Sequence, residues 1–238
     1  LTEVFEWARN EVTSTLCSCL ATHALIQYAY GIERTHRGFK RWGVYSHRVV
    51  DFRHPLVSNI NTRFDVPHSR YNEIFREDME RVGLKVLVES GEAGVHLAVS
   101  EDLLRVVFFQ GHPEYDTVSL LKEFKREINR YFFGERDDYP PLPEHYFSSG
   151  VSDYLSDYAR MVRSAKRDQL ELPVFSENEV LKHLDNTWRD TAKAVFNNWL
   201  GMIYQVTDRD RRKPLMESVD SVHPIELKGE RRESEDFE

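Results

Sequence analysis

Cysteine is scarce in this 238-residue chain: only Cys17 and Cys19 are present. Two thiols two positions apart cannot build the disulfide framework of a small secreted domain, and they read as reduced thiols in a cytosolic chain. Basic excess is also missing. Lys+Arg 32 against Asp+Glu 40 leaves a formal charge of −8, so no global positive field exists to hold nucleic acid or an acidic lipid surface. No apolar run approaches the roughly 18 residues that a membrane helix needs. There is no P-loop, no GxGxxG and no HExxH or CxxC spacing, which sets aside the common routes to nucleotide, dinucleotide and zinc chemistry. His47, His54, His68, His96 and His145 are scattered without ligand spacing. An initiator Met and a signal-peptide pattern are absent as well, and with the opening Leu1-Thr2-Glu3-Val4 the expectation is a fragment.

What is present is an interleaving of strand and helix signals. Residues 3–10 have the pattern of an amphipathic helix end. Val12–Ser18 is β-branched and small, as a buried strand requires, and from Leu20 to Tyr30 small and apolar residues recur at helical spacing until Gly31 stops them. Further strands are expected at Gly43–Val50, Lys85–Glu89, Val95–Ser100 and Arg105–Gln110. A helix is expected at Thr117–Phe133, with Val118, Leu121, Phe124, Ile128 and Phe132 on one stripe. The Pro-rich stretch 137–147 cannot continue it. Helices are expected again at Val151–Lys166, Glu177–Leu184 and Trp188–Val206. Such alternation predicts an α/β fold. From about 207 onward charge dominates and the apolar period is lost, so 207–238 is expected to be a charged, disordered tail.

Two places carry chemistry. Cys19 stands where a strand turns into a helix, a junction that exposes a side chain at the carboxyl edge of the sheet and faces it with free helix N–H groups. Most free cysteines are simply small buried hydrophobes, and Cys17, inside the strand, fits that description. Gly111-His112-Pro113-Glu114 directly follows the strand Arg105–Gln110. A His and a carboxylate two apart in an extended turn can share a hydrogen bond that fixes the imidazole tautomer and frees the other nitrogen as a base. Taken alone this is equally an ordinary surface loop. Together the two places make a Cys-His-Glu arrangement suited to nucleophilic catalysis.

The residues around these points extend the pattern. Val12–Leu16…Cys19, Tyr30-Gly31-Ile32, Gly43-Val44-Tyr45-Ser46-His47, Pro67-His68-Ser69-Arg70, Glu92-Ala93-Gly94-Val95, Gln110–Asp116 and Phe196–Leu200 resemble the homoserine O-acyltransferase family, the O-succinyl- and O-acetyltransferases of methionine biosynthesis. The resemblance runs from about Thr2 to Gln205. It implies a three-layer open sheet of the class I glutamine amidotransferase-like, flavodoxin-like kind with a helical insertion at about 151–184. The catalytic domain would span 1–206 and lack its N-terminal portion. The family's acyl-thioester nucleophile falls on Cys19, its general base on His112 and its orienting carboxylate on Glu114. Its substrate contacts fall on Lys40, Ser69 and Arg126. From the residues alone Lys40 would be a solvated charge in a basic loop, Ser69 a turn residue and Arg126 a helix residue off the apolar stripe.

The resemblance implies acyl transfer from succinyl-CoA or acetyl-CoA to the hydroxyl of L-homoserine through a Cys19 acyl-enzyme, with a backbone N–H such as that of Leu20 holding the oxyanion. It further implies a cytoplasmic homodimer with no metal, no cofactor beyond the acyl-CoA co-substrate, and no nucleic-acid or membrane partner. The family's donor-selecting position lies before Leu1, so these residues favour succinyl over acetyl only weakly, and serine remains open as acceptor. Leu20-Ala21-Thr22-His23 replaces the Trp-Gly-Ala-Gln that many members carry after the nucleophile. A glutamine amidotransferase-like Cys-His-Glu hydrolase would share the three catalytic residues, but it usually has glycines flanking the elbow. A non-catalytic truncated copy is the alternative from a different class.

Overall fold

A computed structural model describes residues 2–210, 212–225 and 227. The chain folds around a six-stranded sheet: β1 (Thr15–Ser18), β2 (Thr35–Val49), β3 (Arg63–Glu73), β4 (Lys85–Ser90), β5 (Gly94–Val99) and β6 (Val106–Phe109). The order across the sheet is β1-β6-β5-β4-β2-β3. β1 and β6 are parallel, and every other neighbouring pair is antiparallel. The helices are α1 (Thr2–Glu11), α2 (Leu20–Tyr30), α3 (Arg76–Arg81), α4 (Ser119–Phe132), α5 (Ser152–Arg167), α6 (Glu177–Leu181) and α7 (Arg189–Val206).

Period-two alternation along the strands sends side chains to two cores. Phe108 joins Cys17, Leu25, Ile26 and Met79 on one face, which α1, α2 and α3 cover. Val107 and Phe109 join Leu97, Val99, Val195 and Met202 on the other, which α7 covers. The result is the expected three-layer α/β arrangement, and Cys17 is a structural residue whose thiol burial pushes up to about 11. A third cluster lies outside the layers. There Leu121, Phe124 and Ile128 of α4 pack on Trp42, Val44, Leu155, Tyr158 and Val162. The α5–α6 segment is therefore an integral part of a core and not a surface appendage. No helix among the described residues is long and apolar enough to cross a membrane.

Three expectations are corrected. The segment holding Ser69 is not a turn but β3, with Ser69 opposite Trp42 of β2. Pro67, which hides the strand in the sequence, is tolerated because β3 is the last strand at its edge. Lys40 is likewise not in a loop: it lies in β2, at the irregularity between His36 and Arg41. The charged region after 207 begins as part of the fold, since Met216 N–H donates to Val206 O at 2.9 Å. Leu215, Val219 and Ile225 pack on the α7 core. The apolar residues that do this are too widely spaced for a periodic signal. The rest of the expected tail, 228–238, lies outside the described residues.

Candidate active site

β1 and β6 run side by side in the same direction, so their carboxyl ends open onto one edge, and the two chemical motifs leave from there. Cys19 follows β1 with φ 49 and ψ −109, a left-handed backbone that costs a non-glycine residue free energy and marks a constrained elbow. The elbow is pinned from both sides. Cys19 N–H donates to Phe109 O at 2.8 Å, His23 N–H donates to Cys19 O at 3.1 Å, and Thr22 Oγ1 donates to Phe109 O at 2.8 Å. Half-buried Cys19 thus stands at the N-cap of α2, where the first N–H groups of a helix have no partner within it.

The loop after β6 is held with equal care. Gln110 is buried with its amide fully used: its Oε1 accepts from Ile74 N–H at 2.8 Å and faces His23 Nε2 at 3.0 Å, and its Nε2 donates to Ile74 O and Val95 O. Gly111 passes so close to β3 that a Cβ there would stand 2.7 Å from Val66 Cγ1 and 2.8 Å from His68 Nε2. His112 N–H then donates to Pro67 O at 2.8 Å, which fixes where the imidazole stands.

That imidazole lies between the two expected partners. Its Nδ1 is 2.8 Å from Glu114 Oε1, and Cys19 stands near enough to act on the ring's proton affinity. Burial works to lower the pKa of His112, but the hydrogen bonds and charges of Cys19 and Glu114 outweigh it and raise the pKa to about 9. Glu114 is itself buried in part, yet its bonds to His112 and Ser18 hold the carboxyl below its ordinary range. Ser18 Oγ is shared between Gly111 O at 3.1 Å and both Glu114 oxygens at 3.2 Å. The arrangement is an imidazole with a raised proton affinity beside a cysteine, oriented by a carboxylate, at the start of a helix. It can attack an acyl carbon and later accept a proton.

Two of the three expected substrate contacts converge. Lys40 Nζ, 4.1 Å over the Trp42 ring, is 3.0 Å from Glu123 Oε2, and Ser69 Oγ donates to that same oxygen at 2.6 Å. Tyr115 Oη donates to Glu123 Oε1 at 2.6 Å, and its ring stacks on His112 with centroids 4.1 Å apart. Burial raises the Glu123 pKa, but the Ser69, Tyr115 and Lys40 bonds override it and keep Glu123 an anion. Arg126 is not drawn in. It stands one turn further along α4, its side chain is 64% exposed, and its nearest carboxylate, that of Glu127, is 4.0 Å away.

Sequence reasoning gave no role to Glu123, Tyr115 or Arg70. Glu123 lies off the apolar stripe of α4, three residues from Arg126, and that shared polar face was the available signal. Arg70 is buried, donates to His68 Nδ1 at 3.2 Å and to Asn72 O at 2.7 Å, and places a cation within electrostatic reach of Cys19. From Arg70 a chain of imidazoles runs beneath the loop: His68 Nε2 to His47 Nε2 at 3.2 Å, then His47 Nδ1 to Tyr45 O at 2.8 Å. Of the scattered histidines only His145 meets carboxylates, those of Glu92 and Glu144, in an exposed group among the described residues.

Comparison with known proteins gives these features a context. The family model for homoserine O-succinyltransferase matches residues 1–209. The homoserine O-succinyltransferase of Methylococcus capsulatus is 74% identical over 227 residues, covering 95% of this chain and 64% of that protein. Its counterpart in Methylobacter tundripaludum is 65% identical over the same shares of the two chains. This chain therefore spans about 64% of the length of these relatives. Among solved structures, a glutamine amidotransferase from Methylobacillus flagellatus superimposes with a TM-score of 0.49 at 16% identity, covering 84% of this chain and 68% of that one.

Proposed function

We propose that this chain, which belongs to the homoserine O-succinyltransferase family, supplies the catalytic residues for transfer of a succinyl group from succinyl-CoA to the hydroxyl of L-homoserine. The observation that carries the reading is the Cys19–His112–Glu114 line at the sheet edge, joined through Tyr115 to the polar cluster around Glu123. Succinyl rather than acetyl is chosen because the relatives at 74% and 65% identity are named for the succinyl donor. The product's place in methionine biosynthesis, a cytoplasmic location and a homodimeric assembly follow as parts of the same proposal.

The chemistry proceeds in two halves. Cys19 thiolate attacks the thioester carbon, and the oxyanion is received by N–H groups at the start of α2, that of Leu20 among them. The C–S bond to CoA breaks, and the departing sulfur takes the proton held on His112. Acylation removes the thiolate charge that raised the His112 pKa, so the imidazole becomes a neutral base. It then takes the hydroxyl proton of homoserine while the oxygen attacks the acyl-enzyme, and Cys19 leaves as thiolate. One residue thus serves as acid and then base because its neighbour changes charge between the steps. The scheme uses acyl-CoA as co-substrate and calls on no other cofactor.

A zwitterionic acceptor needs a cation and an anion side by side. Lys40, with Arg126 one turn away from Glu123, suits the α-carboxylate. Glu123 has a carboxylate capacity of about four hydrogen bonds, of which Ser69, Tyr115 and Lys40 take three, and so retains room for the α-ammonium.

The full-length protein incubated with succinyl-CoA should gain one succinyl group on Cys19, read by intact mass and peptide mapping, and lose it when homoserine is added. Loss to water at the same rate with and without homoserine would indicate a hydrolase. No adduct on an intact Cys19 would refute the reading.

A further inference from the structure

A cavity of about 810 Å³ opens beside the catalytic line, with Glu114 and Tyr115 in its lining and Glu123 outside it. On the sheet side it is lined by Ser18, Glu114, Tyr115 and Asp116 and by the apolar Leu16, Phe109 and Pro113. The outer wall is one stripe of α7: Arg189, Ala192, Lys193, Phe196 and Asn197, spaced at three and four residues as a single helix face requires. The opposite face of α7 is spent on the core, where Val195, Met202 and Val206 are buried. The cavity stripe is therefore not needed to hold the helix in place, and yet it keeps two cations beside an apolar lining.

Tyr115 decides which substrate this space suits. Its ring lies against His112, its hydroxyl points to Glu123, and it also lines the cavity. Tyr115 thus touches the catalytic line, the Glu123 cluster and the cavity at once. The Glu123 side gathers Lys40, Ser69 and Tyr115 around one carboxylate. The cavity is apolar within and carries two cations on its α7 wall. That gradient matches a long, weakly polar arm ending in phosphates. Lys193 is exposed and forms no ion pair among the described residues, while the Arg189 guanidinium pairs with the exposed Asp116 at 3.3 Å and donates to Thr117 Oγ1 at 3.4 Å. Arg189 is also the first residue of α7, so the positive end of an 18-residue helix adds to the same potential. A loose, solvated pair such as Arg189–Asp116 gives way readily to a phosphate.

We propose that this cavity seats the CoA portion of the acyl donor, with the pantetheine arm over Leu16, Phe109 and Phe196 and the phosphates on Arg189 and Lys193. The inference rests on the acyl-CoA reading above and adds the surface that recognises the donor. It also assigns the donor to the cavity and the acceptor to the Glu123 cluster, with Tyr115 touching both.

The test uses the full-length protein with Arg189→Glu, Lys193→Glu and the double variant, and Arg160→Glu on α5 as a charge-matched control. Steady-state constants are measured with succinyl-CoA, with succinyl-pantetheine, which carries no phosphate, and with homoserine. The expected result is a KM for succinyl-CoA raised about tenfold by each reversal and more by both. KM for succinyl-pantetheine and for homoserine should stay within about twofold, and Arg160→Glu should change nothing. A succinyl-CoA KM that does not move overturns the proposal. So does an equal rise for the donor with and without phosphates, which would mean a distorted wall and not a lost phosphate contact. A wild-type protein that fails to acylate Cys19 would instead refute the parent reading, and the two failures are distinct.

Discussion

The proton inventory of His112 offers the sharpest test of the site's chemistry, because the same feature that makes it an acid must vanish for it to act as a base. Its pKa is about 9: burial lowers it, and hydrogen bonds and charge from Cys19 and Glu114 raise it. The sulfur's share can be bounded. A unit charge about 4 Å away in a medium of effective dielectric about 20 is worth about 4 kcal/mol, or about 3 pKa units, as an upper limit. Removing it is enough to cancel the whole elevation from the ordinary 6.5 to about 9. Replacing Cys19 by Ser, which keeps the size but carries no charge near neutrality, should bring His112 down by about 1 to 3 units. The measurement is a ring-resonance titration by NMR on histidine-labelled protein, assigned with His112→Gln. Glu114→Gln should lower the same pKa in the presence of Cys19, by the smaller amount expected of a carboxylate that is itself 55% exposed. A His112 that still titrates near 9 in Cys19→Ser would show that the thiolate is not what holds the proton. The acid-to-base switch on acylation would then have no physical source.

Two further outcomes follow from the surrounding groups. Glu123→Gln keeps the shape but removes the charge that Lys40 faces and that an α-ammonium would seek. Homoserine KM should therefore rise about tenfold or more with KM for the acyl donor nearly unchanged, and an equal rise in both would assign Glu123 to structure alone. On the acid side, burial lowers the pKa values of His23, His47 and His54 from 6.5 to about 4. These groups are neutral in the fold and bind protons more readily once unfolded. Their contribution to stability is therefore complete above about pH 6.5 and is lost as pH falls toward 4, at up to about 1.4 kcal/mol per pH unit for each. His112 has the opposite sign, and its contribution is lost as pH rises through about 9. Thermal midpoints followed by circular dichroism should fall steadily below pH 6.5, and a flat profile between pH 7 and 5 would refute this account.

The parts of the site that the sequence makes readable are those whose geometry is local. A thiol between a strand and a helix, and a His and Glu two residues apart after a strand, each imply their own arrangement, and all three side chains stand where that spacing puts them. Lys40 and Ser69 are different. Both meet Glu123, at separations of 83 and 54 residues, so neither shows a signal in its own neighbourhood. The strand that carries Ser69 is masked twice, by Pro67 and by the polar residues of an edge strand, and only its pairing with β2 gives it a shape. Glu123 was hidden for the opposite reason: it sits in a well-read helix, where a polar residue off the stripe is by default a solvated one.

That division between local and distant residues bears on how the two half-reactions are kept apart. The elbow and the His-Pro-Glu turn complete a nucleophile and its base within one sheet edge, and that much would serve hydrolysis as well as transfer. Selectivity for an alcohol over water has to come from holding the hydroxyl at the acyl carbon, since the base cannot tell the two apart. On the proposed reading the means for doing so would come from β2, β3 and α4, which bring Lys40, Ser69 and Glu123 to one point. Tyr115 ties that point to His112 through its ring and to Glu123 through its hydroxyl. On that reading an acceptor that shifted Glu123 would be felt by the imidazole that deprotonates it, whereas water would make no use of this connection. Tyr115→Phe keeps the stack and removes the Glu123 bond, so it should lower transfer to homoserine while sparing acylation of Cys19. If the two steps fell together, the hydroxyl would be supporting the elbow itself and the coupling argued for here would be wrong.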